Sequence, residues 1–142
     1  MVRYYHATDY KNLPSILQNG IRIGIDGVVY CSKDEETAAR WMMFSRRHAA
    51  RIITIPFDRD EDDENIKVFV DSHPIMLQAI GANITHDEGA SMGSDIPIPA
   101  KEVQANIEQI LVWENPFYDP DFAKRFERLS GGETDAGIED KD

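Results

Sequence analysis

Apolar and polar positions alternate along the first residues in a way that predicts a short strand followed by a short helix. Residues 2–7 combine β-branched and aromatic side chains, a composition typical of a strand. Residues 13–19 carry apolar side chains at helical spacing. Asn12 is suited to cap this helix, and Gly20 is suited to the left-handed conformation that ends one.

The pattern continues with a buried strand that leads into a longer helix. Residues 21–23 alternate like a strand, and residues 27–31 have the apolar centre of a buried strand. Ser32 is followed three residues later by Glu35, which is the spacing of a capping box. A helix is therefore predicted over residues 34–49.

The rest of the chain reads as further short elements and two polar stretches. Its periodicity predicts strands at 51–57, 66–70 and 107–113, and helices at 73–82 and 117–129. Residues 83–93 are rich in glycine and small polar side chains, which predicts a loop. Residues 130–142 are too polar and glycine-rich to fold and predict a disordered acidic tail.

Strands outnumber helices and do not alternate strictly with them, as a doubly wound parallel sheet would require. We therefore predict an α+β fold with two small, mostly antiparallel sheets and helices packed outside. One domain over residues 1–129 is expected, because 142 residues bury one core and are too few for two ordinary domains.

The net charge of the chain limits which classes of partner are expected. The formal net charge of −11 argues against tight, sequence-independent binding of nucleic acid, which depends on clustered Lys and Arg. It permits an alternative, a non-catalytic acidic protein that inhibits a target by occupying a basic, nucleic-acid-binding surface. Much of the charge is local, however, in residues 58–64 and in the tail.

Targeting and metal signals are missing from the sequence. No apolar stretch is long enough to span a membrane and no signal peptide is evident, so a cytoplasmic protein without a membrane partner is expected. Cys31 is the single cysteine, and the four histidines lack metal-ligand spacing, so we expect no metal. Cys31 is expected to be a buried small side chain.

Three motifs in the first 32 residues carry a resemblance to known enzymes. The first strand ends in His6-Ala7-Thr8, the helix reads Leu-Pro-Ser-Ile-Leu-Gln-Asn-Gly-Ile, and residues 27–32 read Gly-Val-Val-Tyr-Cys-Ser. In this order they resemble the ADP-ribosyltransferase-like families of the diphtheria-toxin and poly(ADP-ribose) polymerase type, including small bacterial and phage members. The resemblance covers residues 2–57 and, more faintly, residues 98–103.

The resemblance implies a cleft between two sheets that holds NAD as a substrate. His6 would donate a hydrogen bond to a ribose hydroxyl, and Thr8 or the main chain of Ala7 would hold the nicotinamide amide. Tyr30 would stack on nicotinamide, and Ser32 would bond its ribose. The implied activity is transfer of ADP-ribose from NAD to a macromolecular acceptor, either protein or nucleic acid.

Transfer also needs a carboxylate, because cleavage of the glycosidic bond passes through an oxocarbenium-like cation. Two glutamates compete for this role. Glu108 is predicted to open the last strand, and this setting favours it, whereas Glu88 lies in the predicted loop. If neither faces the cleft, an inactive relative that binds NAD without turning it over is the remaining hypothesis.

Overall fold

The computed structural model of the chain describes residues 1–25, 27–69 and 91–130. In this part of the chain the fold is α+β, with two antiparallel three-stranded sheets and helices, as predicted. The strands are β1 (Val2–Asp9), β2 (Val29–Cys31), β3 (Arg51–Arg59), β4 (Ile66–Phe69), β5 (Ser91–Ser94) and β6 (Leu111–Glu114). The helices are α1 (Leu13–Asn19), α2 (Glu35–Ser45), α3 (Ala100–Ala105) and α4 (Pro120–Ser130), with 3₁₀ turns at Tyr10–Asn12 and Ile107–Gln109.

The first sheet has the strand order β1-β3-β6. Its register places Tyr5 opposite Pro56. Both main-chain groups of Tyr5 point away from β3 and bond to Ser32, from Tyr5 N to Ser32 O at 2.8 Å and from Ser32 N to Tyr5 O at 3.0 Å. This pair joins the first sheet to the strand that leads into the second.

The second sheet has the order β2-β5-β4. Its central strand β5 lies partly in the segment predicted as a loop, so that prediction is wrong for residues 91–93. Gly93 pairs with Tyr30, and a Cβ atom on Gly93 would lie 2.8 Å from the Cβ atom of Val28. Glycine therefore fits at position 93 where a larger residue would meet Val28, and glycine and serine around Met92 give no apolar alternation that reveals the strand.

Two cores cover the two faces of the first sheet. The core between the sheets contains buried side chains of β1, β2, β3 and the segments around α1 and α3: Tyr4, Ile16, Ile21, Val29, Cys31, Ile53, Ile55, Phe57, Ile98 and Val103. The core beneath α2 contains Ala7, Ala39, Met42, Met43, Ala49 and Ile52. Since successive strand residues point to opposite faces, the side chains of His6 and Ala7 lie on different sides of the sheet.

The helix caps differ from the predicted ones. Asn12 belongs to a 3₁₀ turn that runs directly into α1, and its side chain makes no capping bond. Asp34, not Ser32, caps α2, because its Oδ2 accepts hydrogen bonds from the main-chain N and the hydroxyl of Thr37 at 2.8 and 2.7 Å. Ser32 Oγ accepts a hydrogen bond from the N–H of Asp34, at 3.1 Å.

Other boundaries were also corrected by the structure. Residues 21–23 form no strand, only a single bridge between Ile21 and Ile98, and α3 was not predicted. The last strand begins at Leu111 rather than at residue 107. The predicted helix at 73–82 and the predicted tail beyond residue 130 lie outside the described residues.

None of the helices described is long and apolar enough to cross a membrane. Across the same residues, no cluster of three or more His, Cys, Asp or Glu side chains is arranged to hold a metal ion.

Candidate functional site at the open edge of the first strand

His6 is buried in β1, with 1% of its surface exposed. Its Nδ1 lies 2.7 Å from the carbonyl oxygen of Tyr30. A carbonyl oxygen can only accept a hydrogen bond, so Nδ1 carries the proton. Burial lowers the pKa of His6 to about 4; the Tyr30 carbonyl opposes this shift, and the charge of Arg46 adds to it.

The tautomer of His6 reverses the role expected from the resemblance. Because the ring is neutral and Nδ1 donates to Tyr30, Nε2 is left with a lone pair and can only accept. A ribose hydroxyl that met this ring would therefore donate its proton to Nε2. The predicted donor is an acceptor.

Ala7 presents its main chain to the side of β1 that faces away from β3. Tyr5 directs its N–H and C=O toward Ser32, and residues two apart in a strand point their main-chain groups the same way. At Ala7, however, the residue that would continue this antiparallel pairing is Tyr30, whose carbonyl oxygen accepts from His6 Nδ1, and no main-chain bond joins Ala7 to Tyr30. No residue in the described part of the chain bonds to the Ala7 main chain on this side.

This open edge is unusual because Ala7 is a buried residue, with 5% of its surface exposed. Buried N–H and C=O groups almost always have a hydrogen-bond partner. An adjacent donor and acceptor that point in one direction are therefore a feature that a ligand can complete.

Thr8 is fully buried and its hydroxyl accepts a hydrogen bond from Asn12 Nδ2 at 2.7 Å. Asn12 is also buried, with 1% of its surface exposed. The structure therefore places a polar pair beside His6 on the same face of β1. Sequence reasoning missed this role of Asn12 because an asparagine before a helix is typical of a cap.

Tyr30 and Ser32 lie where β2 meets β1. Val29 and Cys31 are buried in the core between the sheets, so alternation directs the half-buried Tyr30 side chain to the opposite face of β2. Tyr30 is therefore not a core residue. Cys31 is buried as expected, and burial raises the pKa of its thiol to about 12, which keeps it protonated and unreactive.

The structure does not bring Glu108 to this edge. Glu108 is exposed in the 3₁₀ turn before β6, and β6 lies beyond β3 from β1. Two strand spacings, about 10 Å, separate β6 from β1. The other candidate, Glu88, lies outside the described residues.

A carboxylate that sequence reasoning did not consider stands on the other face of the first sheet. Glu35 Oε2 accepts a hydrogen bond from the Thr54 hydroxyl at 2.8 Å, and that hydroxyl accepts one from Trp113 Nε1 at 2.9 Å. Thr54 is fully buried. Glu35 therefore ties α2 to β3 and β6, and its chemistry is accounted for by these contacts.

No protein-family model matches this sequence, and no curated protein matches it. The site is thus defined by its own geometry: a neutral imidazole acceptor, an open main-chain donor and acceptor pair, a half-buried tyrosine and a serine, all where the two sheets separate.

Proposed function

We propose that this protein binds NAD at the open edge of β1 and transfers ADP-ribose to a macromolecular acceptor. The observation that carries the proposal is the main chain of Ala7, a buried residue whose N–H and C=O meet no partner in the part of the chain that is described. The resemblance of the surrounding residues to ADP-ribosyltransferase-like families supports the same function.

A primary carboxamide complements this edge. Its oxygen accepts from an N–H and its NH₂ donates to a carbonyl, which is the pattern that one strand residue offers. Nicotinamide carries such a group, and pairing it in a buried place avoids the cost of an unsatisfied donor and acceptor.

The neighbouring residues suit the rest of the nicotinamide nucleoside. The half-buried Tyr30 supplies an aromatic ring, the neutral His6 supplies an acceptor for a hydroxyl, and Ser32 supplies a hydroxyl of its own. These three residues come from two strands joined by the Tyr5 and Ser32 pair. Their positions on two joined strands support a nucleoside as the ligand.

The reaction breaks the bond between the ribose and nicotinamide, and its electron pair leaves with neutral nicotinamide. A lone pair of the acceptor forms the new bond to the ribose carbon, and the acceptor loses its proton. A carboxylate stabilises the intervening cation. Because Glu108 lies across the sheet, Glu88 is the glutamate that we propose for this role, on the basis of its position in the sequence.

Calorimetry with NAD and with its deamidated analogue tests the site directly. The analogue replaces the carboxamide by a carboxylate, which cannot donate to the Ala7 carbonyl and is repelled by it. We expect NAD to bind at least about tenfold more tightly, as the loss of one buried hydrogen bond implies. Equal affinities would contradict the role of Ala7, and no binding of either would contradict the function.

A pair of tyrosine variants provides the control. Tyr30→Ala should weaken NAD binding about tenfold or more, because it removes an aromatic stacking surface. Tyr118→Ala removes a tyrosine that is 40% exposed in the segment after β6, and it should leave the affinity unchanged. Binding without release of nicotinamide would identify an inactive NAD-binding relative.

A further inference from the structure

We infer that the end of the first sheet carries a basic and aromatic surface that binds single-stranded nucleic acid. Its cations come from the segment after β1, from the turn between α2 and β3, from the start of β3 and from α4. They are Lys11, Arg46, Arg47, Arg51 and Arg125, and the aromatic ring of His48 lies among them. We call this region the basic surface. The inference rests on the proposed function only in assigning the bound strand as the acceptor of ADP-ribose.

The basic surface and a run of exposed carboxylates lie at opposite ends of β3. This strand starts at Arg51 within the basic surface and ends at Arg59, after which exposed carboxylates follow at Asp60, Glu61 and Asp62. Eight residue steps separate the two ends, a length of about 27 Å. That distance exceeds the screening length of about 8 Å at physiological salt. A polyanion at the basic surface is therefore shielded from the acidic end despite the net charge of −11.

Arg51 is the clearest candidate for contact with a nucleotide. It is exposed, and its guanidinium lies 4.7 Å from the centre of the Tyr10 ring. It forms no ion pair with a carboxylate among the residues described. A stacked guanidinium offers both a flat face for a base and donors for a phosphate.

A second stack lies on α4. His48 is parallel to the ring of Phe126 with centroids 3.8 Å apart, and Phe122 has Arg47 at 5.9 Å and Arg125 at 6.0 Å from its ring centre. Arg47 and Arg125 are exposed. Alternating aromatic rings and cations are the features with which proteins hold single strands without reading their sequence.

Carboxylates also lie at the basic surface. Asp9 lies near Lys11, Arg46 and His48, close enough for their charges to interact. Asp119 meets Arg47 at 4.0 Å, and Glu114 is paired with Arg51 in the strand register.

The position of this surface links it to the site. Asp9, the last residue of β1, lies opposite Ile52, the neighbour of Arg51 in β3. Asp9 and Tyr10 follow Ala7 within three residues. Alternation along β3 places Arg51 on the same face of the sheet as Ile53 and Ile55, whose partner in β1 is His6. A single strand of nucleic acid bound at this end of the sheet would reach the open edge of β1.

Fluorescence anisotropy with a labelled twelve-nucleotide single-stranded DNA tests the inference. We expect saturable binding with a dissociation constant of about 1 to 100 µM at physiological salt, the range of sequence-independent binding. The logarithm of the affinity should fall linearly with the logarithm of the salt concentration, with a slope of about −0.7 for each phosphate contacted. No saturation below 1 mM protein would overturn the inference.

Two double variants with equal charge change locate the surface. Arg47→Gln with Arg51→Gln should weaken binding about tenfold or more and make the salt slope shallower by about 1.4. Lys67→Gln with Lys101→Gln removes two cations elsewhere and should change the affinity less than twofold. Equal losses in both double variants would show an effect of total charge and would overturn the assignment.

Competition separates nucleic acid from other polyanions. A poly-aspartate of equal charge lacks bases and should compete at least tenfold less well than unlabelled DNA. Equal competition would show a surface for acidic proteins and would overturn the inference. NAD calorimetry on the Arg47 and Arg51 variant keeps the two proposals distinct, because NAD binding should persist there even when DNA binding is lost.

Discussion

The two edges of the first sheet differ in the residues that lie there and in how deeply these residues are buried. At the β1 edge, the buried His6 and Ala7 lie beside Tyr30 and Ser32, where a second sheet begins. At the β6 edge, Leu111 and Val112 are 45% and 49% exposed, and Glu108 is exposed in the turn before them. One edge encloses polar groups between sheets, and the other lies at the surface.

The difference shows which kind of sequence signal predicts that residues lie close together in the fold. His6, Ala7, Tyr30 and Ser32 were chosen from an ordered set of motifs, and the structure brings them together. Glu108 was favoured for its strand setting alone, and it lies on the far side of β3. An order of motifs carries information on proximity, whereas a single residue in a plausible element does not.

The largest expected effect separates the two glutamates. Glu88→Gln should reduce release of nicotinamide from NAD at least about 100-fold, as loss of one electrostatic contact to a developing charge commonly does. Glu108→Gln should leave the rate within about twofold, because the residue is exposed at the other edge. A loss of activity in Glu108→Gln as large as that in Glu88→Gln would refute this distinction.

The next effect concerns the pH dependence set by His6. Its pKa is about 4 in the folded chain and 6.5 when exposed, so the unfolded state binds more protons between these values. The stability contributed by the neutral ring is complete above about pH 6.5 and is lost as the pH falls toward 4. Between pH 7 and pH 5 the loss amounts to about 2 kcal/mol.

Urea unfolding at both pH values measures this contribution. His6→Gln should be less stable than the parent at pH 7, and this difference should shrink by about 2 kcal/mol at pH 5. His48 is present in both proteins, so its own titration cancels. A difference that stays constant with pH would show that His6 is not held neutral by burial.

The smallest expected effect is a difference in unfolding free energy between the same valine-to-alanine substitution made in β2 and in β6. Val29→Ala in β2 removes methyl groups from a side chain with no exposed surface, and it should cost about 2 kcal/mol of unfolding free energy. Val112→Ala in β6 should cost less than about 0.5 kcal/mol, because Val112 is already half exposed. Equal losses in chemical denaturation would contradict the contrast between the edges.

Much of the fold was predictable from periodicity. The strands that became β1, β3 and β4 and the helix that became α2 were placed correctly because apolar spacing identifies them. The strand β5 was missed, since Gly93 and its small neighbours have no apolar pattern. The capping role of Asn12 was wrong because a buried hydroxyl at Thr8, invisible in the sequence, competes for its side chain.

The sequence named residues of the candidate site, but it did not give their chemical states. Sequence pattern named His6, and only the contact with the Tyr30 carbonyl showed that its free nitrogen accepts. The net charge of −11 argued against nucleic acid, whereas the fold collects cations at one end of β3 and carboxylates at the other.

By itself, the sequence determined the class of fold and named the candidate residues for chemistry, because side-chain type and spacing act locally. The tertiary structure decided which of them meet, which strand edge stays open and which nitrogen of His6 holds the proton. Those outcomes depend on contacts between residues far apart in the chain, such as Tyr5 with Ser32. Local propensity does not contain such contacts, since they arise only when the two sheets pack.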